Sequence, residues 1–257
     1  MTETTGTLAT IEDVRDLYFP GTPLSLRHLF GPGTRRDKVV AHVMARAGSN
    51  RIRDKNIREL HGLPLMAYSI IMAREMGADM VLLNTDSEEY RRIGERFGAQ
   101  SPFLRPTPLG DDDVSPGLAS YYAMRRLLES GYPVGVWIDM YPTSPFRSLR
   151  TLGRFMEILR KAGTCVSVGM MPPPARRAYL PGKGDTPIRL DYDESLFFYK
   201  PVGTFLGQNL DAERRYWRHY EAVVDPIELI DIDTERDWAL AETILENRLF
   251  DFGVRLP

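Results

Sequence analysis

The segment ARAGSNRIRDKN sets Arg46, Arg51, Arg53 and Lys55, four cations within ten positions, around Gly48 and Ser49. Guanidinium and ammonium groups beside backbone N–H groups that can approach a ligand closely suit a triphosphate, whose several negative charges need matching once they leave water. A solvated basic loop is the alternative. Neither the GxxxxGK[ST] nor the GxGxxG spacing is present, so the segment is not a P-loop or a dinucleotide fingerprint.

A second constellation is ELIDIDTERD. If ELIDID is a short strand, alternation puts Asp231 and Asp233 on one face, where two hard oxygen donors can share a divalent cation such as magnesium, which would bridge phosphate oxygens. Alternatively, Asp233 only caps the helix that opens at Thr234. Asp86 and Asp139, each closing an expected strand, are further carboxylate candidates or plain turn residues. The proline-bracketed YPTSPFR cannot be helical and presents Thr143, Ser144 and Arg147 in a rigid turn, either as the start of a helix or as a substrate wall. FLRPTPLGDDDVS carries a rigid Arg105-Pro106 step and three adjacent aspartates, which read most simply as a solvated turn.

Other chemistries fail on spacing. His28, His42, His61 and His219 have no metal-ligand spacing with one another or with Cys165, so zinc catalysis is not expected. No GxSxG elbow exists for a serine hydrolase. Cys165 sits in an apolar run and reads as an inert core thiol; having no intrachain mate, it excludes a disulfide scaffold and points to a reducing, cytoplasmic compartment. The 257 residues include 33 basic and 35 acidic side chains, a formal charge of -2 spread along the chain. With no broad cationic face, nucleic acid is not an expected partner, although local phosphate binding stays open. Neither a leader-like N-terminus nor a run of about 20 apolar residues is present, so neither export nor membrane insertion is expected.

These residues need elements to hold them. Val39 to Arg46, Met80 to Asp86, Val134 to Asp139 and Thr164 to Met171 read as strands, and helices are expected after Pro64, after Ser87, over Leu118 to Ser130 and over Leu149 to Ala162. Strands alternating with helices predict an α/β fold with a mainly parallel sheet covered on both faces, and ligands collect at the carboxyl ends of such strands. Residues 1–38 read as a preface with an amphipathic stretch from Ile11 to Phe19 and no interpretable motif. Residues 39–257 are expected to form one domain, with an insertion at about 172–220 in which SLFFYK and VGTFL make a hairpin or lid. Arg176 and Arg177 lie in that insertion and could meet an anionic substrate.

The order of these loops along one sheet resembles the acylneuraminate cytidylyltransferase family of sugar nucleotidyltransferases. The matching segments are VMARAGSNRIRDKNIRELHGLPLMAYSI, VLLNTDSEEYRRIGERFGA, FLRPTPLGDDDVS, YPTSPFR and IDIDTERDW, which span about residues 39–240. The resemblance implies a Rossmann-like three-layer fold, often dimeric through an inserted element. The implied activity joins CTP to the anomeric hydroxyl of a 2-keto-3-deoxy sugar acid with release of pyrophosphate. It implies that Arg46, Ser49 and Lys55 hold the triphosphate, with Ala45, Gly48 and Arg51 beside them, and that Asn56, Arg105, Asp112 and Ser115 line the nucleotide pocket. Asp231 and Asp233 match magnesium ligands, and Arg46, Lys55 and Asp233 would carry the catalysis. Tyr141, Thr143, Ser144 and Lys200 fall at the acceptor side. Three departures stand out: Asn50 where the family has lysine, Tyr141 where it has glutamine, and Lys200-Pro201-Val202-Gly203 where it has arginine-proline-asparagine-glycine. They point to an unusual acceptor acid or a different triphosphate; a non-catalytic nucleotide-sugar binding protein is the other reading.

Overall fold

The structure, a computed structural model, describes residues 8–29, 36–111, 113–171, 177–180, 188–191, 198–210 and 218–257. After helix α1 (Ile11–Tyr18), the first strand is β1 (Lys38–Met44), whose Val40, Ala41, His42 and Val43 are all buried. A strand covered on both faces reads as a continuous apolar run, which is why VVAHV shows no alternation. The short hairpin of β2 (Glu59–Leu60) and β3 (Leu63–Pro64) leads into α2 (Leu65–Glu75), which Gly77 ends in the left-handed region at φ +86°. There follow β4 (Met80–Asn84), α3 (Glu88–Arg96), α4 (Pro116–Glu129), β5 (Val134–Met140), α5 (Leu149–Lys161) and β6 (Thr164–Met171). Ser87, Ser115 and Ser148 cap α3, α4 and α5 through their hydroxyls.

β7 (Arg177–Leu180) and β8 (Ile188–Asp191) pair antiparallel, apart from the main sheet. The chain then runs through β9 (Phe198–Asn209) and β10 (Arg218–Ala222) to α6 (Glu235–Glu246). The main sheet has the order β10-β6-β9-β5-β1-β4. β1 is parallel to β4 and β5, and β10 to β6, while β9 is antiparallel to both its neighbours. Helices α2, α5 and α6 pack on one face around Val43, Ile138 and Phe205, and α4 covers the other around Val40, Leu82 and Trp137. Among the described residues, no helix is long and apolar enough to cross a membrane.

Two expectations are corrected here. SLFFYK and VGTFL do not form a hairpin: from Phe198 onward they are one strand, β9, in the middle of the main sheet. Gly203 and Gly207 interrupt its apolar pattern because neighbours crowd them; a Cβ on Gly203 would lie 2.6 Å from Ser144 Oγ. ELIDID is likewise not a strand. Pro226–Leu229 is a 3-10 turn and Ile230 to Asp233 is irregular, so the Ile/Asp alternation comes from Ile230 and Ile232 packing against the core one at a time.

Candidate active site

β1 ends where β4 and β5 also end, and the loops leaving these strands build a cleft. Ala45 is buried and still bonded to the sheet, its N–H donating to Asn84 O at 3.1 Å. Beyond it the loop breaks away through Gly48, at φ +70° with open space where a side chain would be. Arg46 donates to Gly110 O at 2.7 Å, and the Ala47 N–H donates to Asp86 Oδ1 at 2.8 Å. Asn56 donates to Arg46 O at 3.0 Å, closing the loop on itself. Asp54 holds φ +50°, and its carbonyl accepts the N–H groups of Ile57 and Arg58, a tight turn that directs Lys55 inward.

Lys55 is 7% exposed. Its ammonium donates to Ile232 O at 2.7 Å and to Asp233 Oδ1 at 3.0 Å, and Arg51 pairs with Asp233 Oδ2 at 2.9 Å. Residues 178 apart in the chain thus share one cation–carboxylate cluster. The Asp233 loop is pinned in turn by Ile232, whose N–H donates to Thr143 O at 2.7 Å. Thr234 caps α6 with a reciprocal bond from Asp237, so the Asp233 carboxylate is free of capping duty. Asp231 is exposed and lines neither part of the cleft. With ELIDID not a strand, the two-carboxylate face has no structural basis; Asp233 alone faces the cleft.

An inner cavity of about 250 Å³ and an outer one of about 530 Å³ share Arg46, Ser49 and Lys55. The outer part is polar, reaching Asn50, Arg51, Asp113 and Asp233. The inner part is lined by Asn56 and Arg105, by an apolar wall of Met44, Leu109, Val114 and Ala119, and by Tyr141 and Thr143. Arg105 is 5% exposed, 3.8 Å from Asp86, and its Nε and Nη2 have no hydrogen-bond partner among the described residues. Burial lowers its pKa, with Asp86 opposing and Arg46 adding to the effect. A buried guanidinium with unused donors on a cleft wall is suited to an anionic or carbonyl oxygen. Burial, with Asp139 nearby, pushes the Tyr141 hydroxyl up to about 12, so it is a hydrogen-bond donor at neutral pH.

Several expected site residues lie elsewhere. Arg147 is not a substrate wall: it is fully buried, donating to Thr204 O, Tyr141 O, Gly203 O and Ser69 Oγ at 2.6–3.0 Å, and so rivets the YPTSPFR loop to β9 and α2. Ser144 is buried beneath Gly203 and does not line the cleft. Lys200 is exposed on β9 opposite Gly169, also off the cleft. Ser115 caps α4 between two lining residues, Val114 and Pro116. Asp112 and Arg176 lie outside the described residues. Asp139 does not reach the cleft; it is buried 2.6 Å from His42 Nδ1 and accepts from Ser120 and Trp137. Leu109 and Val114 carry no chemistry that marks them in the sequence, and only the fold turns them to the cavity.

Residues 40–171 match the family described as Cytidylyltransferase. The chain is 29% identical over 231 residues to the CMP-N,N'-diacetyllegionaminic acid synthase of Legionella pneumophila, covering 81% of this chain and 97% of that one. It is 30% identical over 235 residues to the N-acylneuraminate cytidylyltransferase of Escherichia coli, covering 83% of this chain and 53% of that one. Its fold is similar to that of a CMP:2-keto-3-deoxy-manno-octonic acid synthetase complexed with CTP, at TM-score 0.60 and 14% identity over 82% of this chain and 100% of the other.

Proposed function

Because the chain belongs to the cytidylyltransferase family, within its acylneuraminate branch, and is a nucleotidyltransferase, we propose that it joins CMP from CTP to a nonulosonate-like 2-keto-3-deoxy sugar acid and releases pyrophosphate. The observation that carries this reading is the Lys55–Asp233–Arg51 cluster in a cleft also lined by Arg105, whose Nε and Nη2 have no hydrogen-bond partner among the described residues. In the proposed reaction the acceptor hydroxyl attacks the α-phosphorus in line with the departing pyrophosphate; one P–O bond forms, one breaks, and the hydroxyl proton leaves to solvent. Arg46, Lys55 and the Ser49 loop would meet the triphosphate charge, and Asn56, Arg105 and the apolar wall would enclose the nucleoside. Tyr141 and Thr143 would face the acceptor.

Magnesium fits this donor set in a particular way. Among the described residues, no three His, Cys, Asp or Glu side chains are grouped to cage a metal, but magnesium is commonly held by one or two carboxylates plus substrate phosphates. Asp233, with Asp113 also lining the outer cavity, would supply the protein share. When bound, the ion would neutralise charge on the phosphate oxygens. The cations now on Asp233 would turn to the triphosphate.

The test is pyrophosphate release from CTP, compared with other triphosphates, across a panel of 2-keto-3-deoxy sugar acids with magnesium. CTP-dependent release with at least one such acid is expected. Release from another triphosphate and none from CTP would overturn the base assignment. Asp233→Asn should lower turnover by about 100-fold or more in a folded protein, as losing a group that organises charge at the reacting phosphate does.

A further inference from the structure

Residues 8–29 precede the family match, yet they touch the cleft from behind. Leu8, Val14 and Phe19 form one buried cluster with Leu109, Leu118 and Tyr122, and Tyr18, Phe103 and Val114 pack against it. Tyr122 is the hub, with ring centroids 5.3 Å from Tyr18, 5.6 Å from Phe19 and 6.0 Å from Phe103. Two polar ties add register. Arg125 lies 4.7 Å over the Phe19 ring and donates to Pro23 O at 2.9 Å, and Tyr121 donates to Leu24 O at 3.1 Å. Burial raises the Tyr18 hydroxyl's pKa, with Tyr122 and Asp111 contributing.

Leu109 and Val114 belong to both structures: they line the inner cavity and pack on this cluster. The 3-10 turn that carries Leu109, Thr107–Gly110, is too short to hold a wall unaided. Its cleft side is tied by Arg46 on Gly110 O, and its back rests on the N-terminal segment. An apolar wall binds a flat ring well only if its side chains are fixed before the ligand arrives.

We propose that residues 8–29 are a positioning element of the nucleotide pocket, bracing Leu109, Val114 and the first turn of α4 so that they set affinity for the nucleoside triphosphate. The proposal rests on the CTP reading above. Among the described residues, none of 8–29 lines either part of the cleft, so the effect of the segment falls on binding and not on the chemical step.

The experiment is steady-state kinetics of full-length Phe19→Ala, Phe19→Leu and Tyr121→Phe with CTP as the varied substrate. Each variant is assayed at a temperature where circular dichroism shows it folded. Phe155→Leu, in the α5 core against Phe205, serves as a destabilised control remote from the cleft. For Phe19→Ala the KM for CTP should rise about 5- to 20-fold with kcat within about twofold, the pattern of lost uniform binding. Phe19→Leu should recover most of the affinity, while Phe155→Leu lowers the melting temperature without moving KM. Unchanged KM in folded Phe19→Ala overturns the bracing role, as does an equal rise in Phe155→Leu. If Phe19→Ala does not fold, Tyr121→Phe decides by the same criterion: a raised KM supports the role and an unchanged one overturns it. Wild-type protein that turns over no CTP removes the underlying reading instead, so the two failures are separable.

Discussion

At the scale of single residues, Lys55 and Tyr141 have environments that fix what each can do. Lys55 is largely buried and held by a carbonyl and a carboxylate, so its interactions are little screened by water. Lys55→Met should lower kcat/KM for CTP about 10²- to 10³-fold, the loss seen when one preorganised charge stabiliser is removed. The same change removes the donor on Ile232 O and leaves Asp233 with Arg51 alone, and should lower stability by about 1–3 kcal/mol, read by denaturant titration. Tyr141 is the departure with the clearest chemical signature. Its pKa of about 12 keeps it a donor throughout the working range. On its proposed place at the acceptor, Tyr141→Phe should raise the acceptor's KM while leaving that for CTP unchanged. A changed CTP KM alone would move Tyr141 to the nucleotide side. Burial of the phenol also has a stability consequence. The folded pKa is raised above the unfolded one, so the neutral form costs nothing below pH 10. Above it the unfolded chain loses its proton first, and stability should fall by up to about 1.4 kcal/mol per pH unit until about 12.

Elements decide where those residues stand, and here the sequence is legible in some places and opaque in others. Arg46, Ser49 and Lys55 are readable because cations and small residues follow a buried strand, whereas Asn56 comes only from the family resemblance; in the structure all four line the cleft. Arg147 stays ambiguous in the sequence, helix entry or substrate wall, because an arginine in a rigid loop looks accessible; only the carbonyls of Tyr141, Gly203 and Thr204 converging on it reveal a structural ion. β9 was hidden by glycines that its neighbours demand. The strand argument for Asp233 fails, since that strand does not exist, and the family resemblance also points to it; what places it at the cleft is the Ile232 bond to Thr143 and the capping box behind it. That box is testable. Thr234 hydrogen bonds hold the Asp237 carboxyl below its ordinary pKa. Its contribution is therefore present above the unfolded carboxylate's pKa and is lost as pH falls through the lower folded value. Thr234→Ala should cost about 1 kcal/mol at neutral pH and flatten the acid limb of a stability–pH curve. It should also reduce turnover, because the turn it fixes begins one residue after Asp233; wild-type turnover with reduced stability would confine the box to a structural role.

For the whole molecule, the decisive quantity is the placement of charge and not its sum. A formal charge of -2 gives no long-range attraction for an anion, yet four cations, Arg46, Arg51, Lys55 and Arg105, line one cleft region, with Arg53 in the same loop as three of them. They divide by exposure: the side chains of Arg51 and Arg53 are 68% and 97% exposed, whereas those of Lys55 and Arg105 are 9% and 4% exposed. Salt screens the first pair over a Debye length of about 10 Å at 0.1 M and about 3 Å at 1 M, and reaches the second pair far less. Triphosphate affinity should therefore have two parts, a salt-sensitive one from the rim and a salt-resistant one from the interior. Raising potassium chloride from 0.05 to 0.5 M at constant free magnesium should weaken CTP binding by about three- to tenfold. Arg51→Ala should lower affinity at low salt and flatten that slope, and Lys55→Met should lower affinity equally at both salt concentrations. Isothermal titration at the two ionic strengths separates the parts. Parallel salt slopes for wild type and Arg51→Ala would place the exposed rim outside the binding field and leave the buried cations alone to hold the triphosphate.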